Sequence, residues 1–168
     1  MFIQFWMVQR LTREINDLER KQMEVYNRLS NFQKYASRLG GSSILNINNI
    51  AGLSSELLPR AAMFAQYSDQ ASSMSAMQNL QMMKMMGRIP YTGNPMQQYQ
   101  IEMSAFRQFK EEALKAMKQQ ESQIMNEKEK EIQLELNSIE TRMKMKQAQL
   151  EAYKKSASED AQNAAPQF

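Results

Sequence analysis

The chain has 168 residues, with 21 Lys and Arg against 18 Asp and Glu, and neither histidine nor cysteine. A net charge of only +3 argues against nucleic-acid binding by bulk charge, and the missing residue types exclude disulfides, thiol nucleophiles, histidine-based triads and the usual zinc and di-iron ligand sets. With no positive signal for a reaction, a cofactor or a metal, a non-enzymatic role is expected.

Helix breakers organise everything else. Every Gly and Pro except Pro166 falls between Gly40 and Pro95, so residues 1–39 and 96–165 are free of both and suit two long uninterrupted helices.

The first arm, residues 1–39, opens with MFIQFWMVQR. No basic stretch precedes its apolar residues, no small-residue cleavage site follows, and the run is far shorter than the roughly 20 residues of a membrane span. Export, if it occurs, is expected without a cleaved peptide; the alternative compartment is the cytoplasm. An amphipathic membrane contact led by Phe2, Ile3, Phe5 and Trp6 stays open.

A heptad pattern follows. One seam position is filled by Met1, Val8, Ile15, Gln22, Leu29 and Ala36, the other by Gln4, Leu11, Leu18, Val25, Phe32 and Leu39. Ten of these twelve are apolar, which is the pattern of a coiled-coil helix. Gln22 is placed to set register and Glu24 and Arg28 to pair at i,i+4, and the arm stops at Leu39-Gly40-Gly41, where glycine can take the left-handed cap conformation.

The centre, residues 40–96, is broken. SSILNINNIAGL (42–53) reads as a short strand or a packed loop. SSELLP offers a serine N-cap, with Pro59 in the first turn of a helix over about 60–86. The stretch from Met74 to Pro90 at its end holds six of the chain's sixteen methionines, Met74, Met77, Met82, Met83, Met85 and Met86, and from Ala61 to Met86 only Asp69 and Lys84 are ionic. The methionine spacings match those of soft Cu(I) sites. Any methionine-rich helix generates them, however, and no His or Cys co-ligand accompanies them. Burial is the better reading, against the arms or against a neighbouring subunit, with a partner-binding surface as the alternative.

The last arm is expected over 97–157, roughly 90 Å of helix, with 158–168 as a frayed tail. Its distal seam runs Ile132, Leu136, Ile139, Met143, Lys146, Leu150, Tyr153, Ala157, and its proximal seam Phe106, Phe109, Ala113, Met117, Ile124. The eight-residue step from Ile124 to Ile132 is a slip, of the kind that marks a change of partner helix. Glu111–Lys115, Glu140–Lys144 and Glu151–Lys155 are favourable surface pairs. Glu127, Glu131 and Glu135 share a face, but flanking Lys128 and Lys130 make it a solvated charged face rather than a metal site.

These features together predict an all-α protein, an elongated helical hairpin or bundle with two coiled-coil arms around a methionine-rich central helix. The expected role is a structural protein that forms a homo-oligomer through the seam residues Val8, Leu11, Ile15, Leu18, Val25, Leu29, Phe32, Ile132, Ile139, Met143 and Leu150. The alternative is a helical adaptor or chaperone gripping a protein partner through the central methionines. In layout, the arms at 1–39 and 97–157 resemble the exported helical-hairpin proteins of flagellar and type III export systems, whose terminal helices pack together around a variable centre. That resemblance implies a filament-type subunit secreted without a cleaved signal.

Overall fold

The computed structural model describes residues 2–41 and 52–163. The segment 42–51, which holds most of the stretch read as a strand or packed loop, and residues 164–168 lie outside the described residues. Three α-helices and no strand are found among the described residues: α1 (Phe2–Leu39), α2 (Leu58–Met85) and α3 (Pro95–Asn163). No helix of the described residues is long and apolar enough to cross a membrane.

The helices follow the breaker map, but their ends are made differently from the sequence reading. At α1 Gly40 does not take the left-handed conformation, and the Gly41 N–H donates to the Arg38 carbonyl at 3.2 Å. At the start of α2 no serine side chain caps the helix. The N-cap is Leu57, and the Ser54 carbonyl accepts from the Leu57 and Leu58 N–H groups at 3.0 and 2.9 Å, so a backbone turn does the work. Pro59 sits in the first turn as expected.

The left-handed glycines lie on either side of Pro90 instead. Gly87, at φ +68°, closes α2, with the Gly87 N–H on Lys84 O and the Arg88 N–H on Met83 O at 3.1 and 3.0 Å. This paired arrangement is the Schellman cap, and it satisfies two carbonyls that the helix end leaves free. Helix α3 then begins on a true side-chain cap. Asn94 Oδ1 accepts the Met96 N–H at 3.0 Å, and Pro95, which has no N–H to lose, fills the first helical position. At its far end α3 runs on to Asn163, through six residues read as a frayed tail; nothing in SEDAQN stops a helix already propagating.

Two packed units are distinguished, Met1–Ser30 with Glu129–Phe168, and Asn31–Lys128. In the first, α1 and α3 pair antiparallel. Gln4 donates to Asp160 at 2.6 Å, Lys146 meets Glu14 at 2.7 Å, Gln22 meets Glu140 at 3.3 Å and Arg28 meets Glu135 at 3.2 Å. Arg28 therefore reaches across to α3 rather than along α1 to Glu24. Leu11, Ile15 and Val25 are buried together with Ile132, Leu136 and Ile139, while Val8, Leu18, Leu29, Met143 and Leu150 are half-buried. Even the seam lysine is accounted for. Lys146 and then Arg10 hold the Glu14 carboxyl below its ordinary range. Of the seam residues that the sequence offered for contact with another chain, Leu11, Ile15, Val25, Ile132 and Ile139 are buried within this one, and the others keep part of their surface open.

The second unit is built on a core of Tyr35, Leu39, Leu57, Ala61 and Met125, with Phe32, Phe64 and Ile124 packed against it. Met125, not Ile124, is the fully buried seam residue of this stretch of α3. Covered positions here step by four, through Ala113, Met117, Glu121, Met125 and Glu129, before the three–four alternation resumes at Ile132. Steps of four walk the buried face around the helix. The slip is thus spread over several turns, and the division between the two units at Lys128 and Glu129 falls inside it.

Met125→Ala removes a side chain that is 1% exposed and is expected to cost about 3 kcal/mol in urea unfolding. Ile124→Ala, at the residue the sequence favoured, should cost clearly less.

Candidate interaction surface

Helix α2 buries the wrong residues for an ordinary amphipathic helix. Its covered face is made of Ala61, Ser68, Ser72 and Ala76, each at most 1% exposed. Small side chains let a neighbouring helix come close. The two serines bring no unpaired hydroxyl, because Ser68 Oγ donates to Ala65 O and Ser72 Oγ to Asp69 O within α2 itself.

Three ion pairs fix how α2 is turned about its axis, and all three go to α3, which runs antiparallel to it. Arg60 forks onto Glu121, with Nε and Nη2 donating to the two carboxylate oxygens at 2.7 and 3.0 Å. Lys110 meets Asp69 at 2.9 Å and Lys84 meets Glu102 at 2.8 Å. The first of these is the structural centre of the unit. Glu121 is 8% exposed, and its Oε1 also accepts the Tyr35 hydroxyl of α1 at 3.1 Å. Burial, and next the facing carboxylate charge, push the Tyr35 phenol far above its ordinary range, so it stays protonated and donates. The Glu121 hydrogen bonds in turn raise the affinity of Arg60 for its proton.

Neither Tyr35 nor Glu121 stood out in the sequence. A signal was nevertheless present. Glu121 lies four residues from Met117 and four from Met125, at seam spacing, where a carboxylate is tolerated only if paired.

With its small face covered and Arg60, Asp69 and Lys84 all paired to α3, α2 points its large apolar residues outward. Met63, Tyr67, Met74, Met77 and Met85 are 71, 68, 67, 59 and 84% exposed. Met82 and Met86 are exposed as well, and only Met83 of the six methionines singled out is half-covered. Packing against the chain's own arms is therefore not what five of these six do. The stripe is regular. Met63, Tyr67, Gln70, Met74, Met77, Gln81 and Met85 follow steps of four and three, the spacing of a coiled-coil seam.

Elsewhere, Ile3, Phe5 and Trp6 are exposed on the first turns of α1, with the Arg10 guanidinium 5.5 Å from the Trp6 ring centre. In the glutamate series on α3, Glu135 is engaged by Arg28. Comparisons with protein-family models, with characterised proteins and with solved structures returned no match to this chain.

The clamp and the pins yield two predictions. Glu121→Ala strands a buried tyrosine hydroxyl as well as Arg60, so it should destabilise by about 2–3 kcal/mol, against about 1 for Tyr35→Phe, in paired denaturation curves. Glu102 has its carboxyl pulled below the ordinary value of 4.5 by Lys84 first and Gln98 second. A depressed folded-state value contributes stability above pH 4.5 that disappears as pH falls through the lower value. The difference in melting temperature between wild type and Lys84→Met should therefore hold from neutral pH to 4.5 and shrink below it.

Proposed function

We propose that this chain is a non-enzymatic helical structural protein that self-associates, and that two copies meet through the outer stripe of α2. The observation carrying this reading is the inversion of α2, with alanine and serine buried and methionine and tyrosine exposed. Scattered exposed apolar residues are ordinary, but a continuous stripe at seam spacing over roughly 33 Å of helix is the mark of a contact surface.

The occupant follows from the electrostatics. A two-fold contact sets each face against its own copy, so any net charge on it repels itself. This stripe has none, since Asp69 and Lys84 are engaged by Lys110 and Glu102. Gln70 and Gln81 can hydrogen-bond across the axis and select register, and the unbranched methionines adapt to one another's shape. The arms, whose seams are in part buried within the chain, serve in this reading as the scaffold that presents α2. Repetition of such contacts through a second surface would give the filament-type subunit that the layout of the arms suggests.

Methionine faces also suit partners of varied shape, which favours an adaptor as the second reading. Light scattering during size-exclusion chromatography separates the two. The pure chain should rise from single to paired mass with concentration, and Met74→Asp combined with Met77→Asp should hold it at single mass with unchanged helical circular dichroism. A wild type of single mass at every concentration overturns self-association. Protection of α2 from proteolysis only on adding another protein then supports the adaptor.

A further inference from the structure

The stripe is built of methionine where leucine would pack as well, and this gives the contact a chemistry that a leucine seam lacks. Resting on the pairing just proposed, we propose that Met63, Met74, Met77 and Met85 form an oxidation site through which hydroperoxides separate the copies. In the free chain these four side chains are 71, 67, 59 and 84% exposed, all on one face of one helix. The chain has no cysteine, so no thiol competes for the oxidant.

The reaction balances with a hydroperoxide alone. The thioether sulfur attacks the peroxide, the O–O bond breaks and an S–O bond forms. The sulfur gives up two electrons, and hydrogen peroxide is reduced to water. The product is a polar sulfoxide in place of a flexible apolar side chain. One such change at the rim of a contact is tolerable. Four along one seam, doubled by the two-fold relation, put polar S–O groups along the whole line where apolar surface has to be removed from water.

Association and oxidation therefore oppose each other. Pairing shields the sulfurs, and oxidation of the single chain withdraws it from pairing, so oxidation of these four residues should slow as protein concentration rises. The fold supplies its own controls. Met125 is 1% exposed and should stay reduced while the chain is folded. Met23 on α1 and Met145 on α3 are 66 and 57% exposed and should oxidise without effect on pairing.

The test treats the full-length chain with hydrogen peroxide and follows three readouts: mass by light scattering, oxygen incorporation by peptide mass spectrometry, and helix content by circular dichroism. As Met63, Met74, Met77 and Met85 gain oxygen, the dissociation constant should rise by about tenfold or more with helix content retained. It should return after treatment with methionine sulfoxide reductases and a thiol reductant. The variant with all four replaced by leucine should pair and remain paired in peroxide. A chain that stays paired when all four are sulfoxides overturns the oxidation site and leaves the pairing standing, as does a leucine variant that dissociates equally in peroxide. An untreated chain of single mass at every concentration overturns both.

Discussion

The carboxylate of Glu121 is where the three helices are tied together. It receives the Tyr35 hydroxyl from α1 and the Arg60 fork from α2, and it stands on α3 beside Met125 at the bottom of the core. A buried carboxylate loses its hydration and must recover it from directed partners, which here come from two different helices. Its contribution lies more in geometry than in net stabilisation. An apolar core of Tyr35, Leu39, Leu57, Ala61 and Met125 tolerates some rotation of α2 about its axis. A bidentate guanidinium–carboxylate pair does not.

Once that rotation is set, the rest of α2 follows. Lys110 with Asp69 and Lys84 with Glu102 are exposed or half-exposed pairs of the kind that adds little stability singly. Spaced along the helix, they pair Asp69 and Lys84 with charges of α3, so that the outer stripe carries no net charge. Alanine and serine beneath allow close approach to the neighbouring helix. Burying methionine there would have held the helices apart, and the large side chains are left on the outside.

The methionine cluster shows how far composition can be pressed. A helix nearly free of charge reads as a buried one, and for Ala61, Ser68, Ser72 and Ala76 burial is what happens. For Met74, Met77, Met82, Met85 and Met86 it is not. A helix hydrophobic all round does not say which of its faces meets its own chain, because the small face and the large face are both apolar. Glycine misled for a related reason. Gly40 and Gly87 both follow a long helix, but only Gly87 has the following N–H groups arranged to complete a Schellman cap. The residue type permits that conformation without requiring it.

Local rules were sufficient for α1, for the extent of α2 and for most of α3. The absence of Gly and Pro from long stretches, the heptad spacing of Leu11, Ile15, Leu18 and Val25, and the matching run from Ile132 to Leu150 are properties of neighbouring residues, and helix formation is decided among neighbours. Partners are not. Whether Arg28 pairs with Glu24 or Glu135, whether Met125 or Ile124 enters the core, and which side of α2 faces out all depend on groups far apart in the chain. By itself the sequence determined that this is an all-α protein with two seamed arms around a methionine-rich helix. Only the tertiary structure decided that Leu11, Ile15, Val25, Ile132 and Ile139 are buried within the chain while five of the six central methionines stay open, because burial depends on which apolar face meets a complementary surface within its own chain.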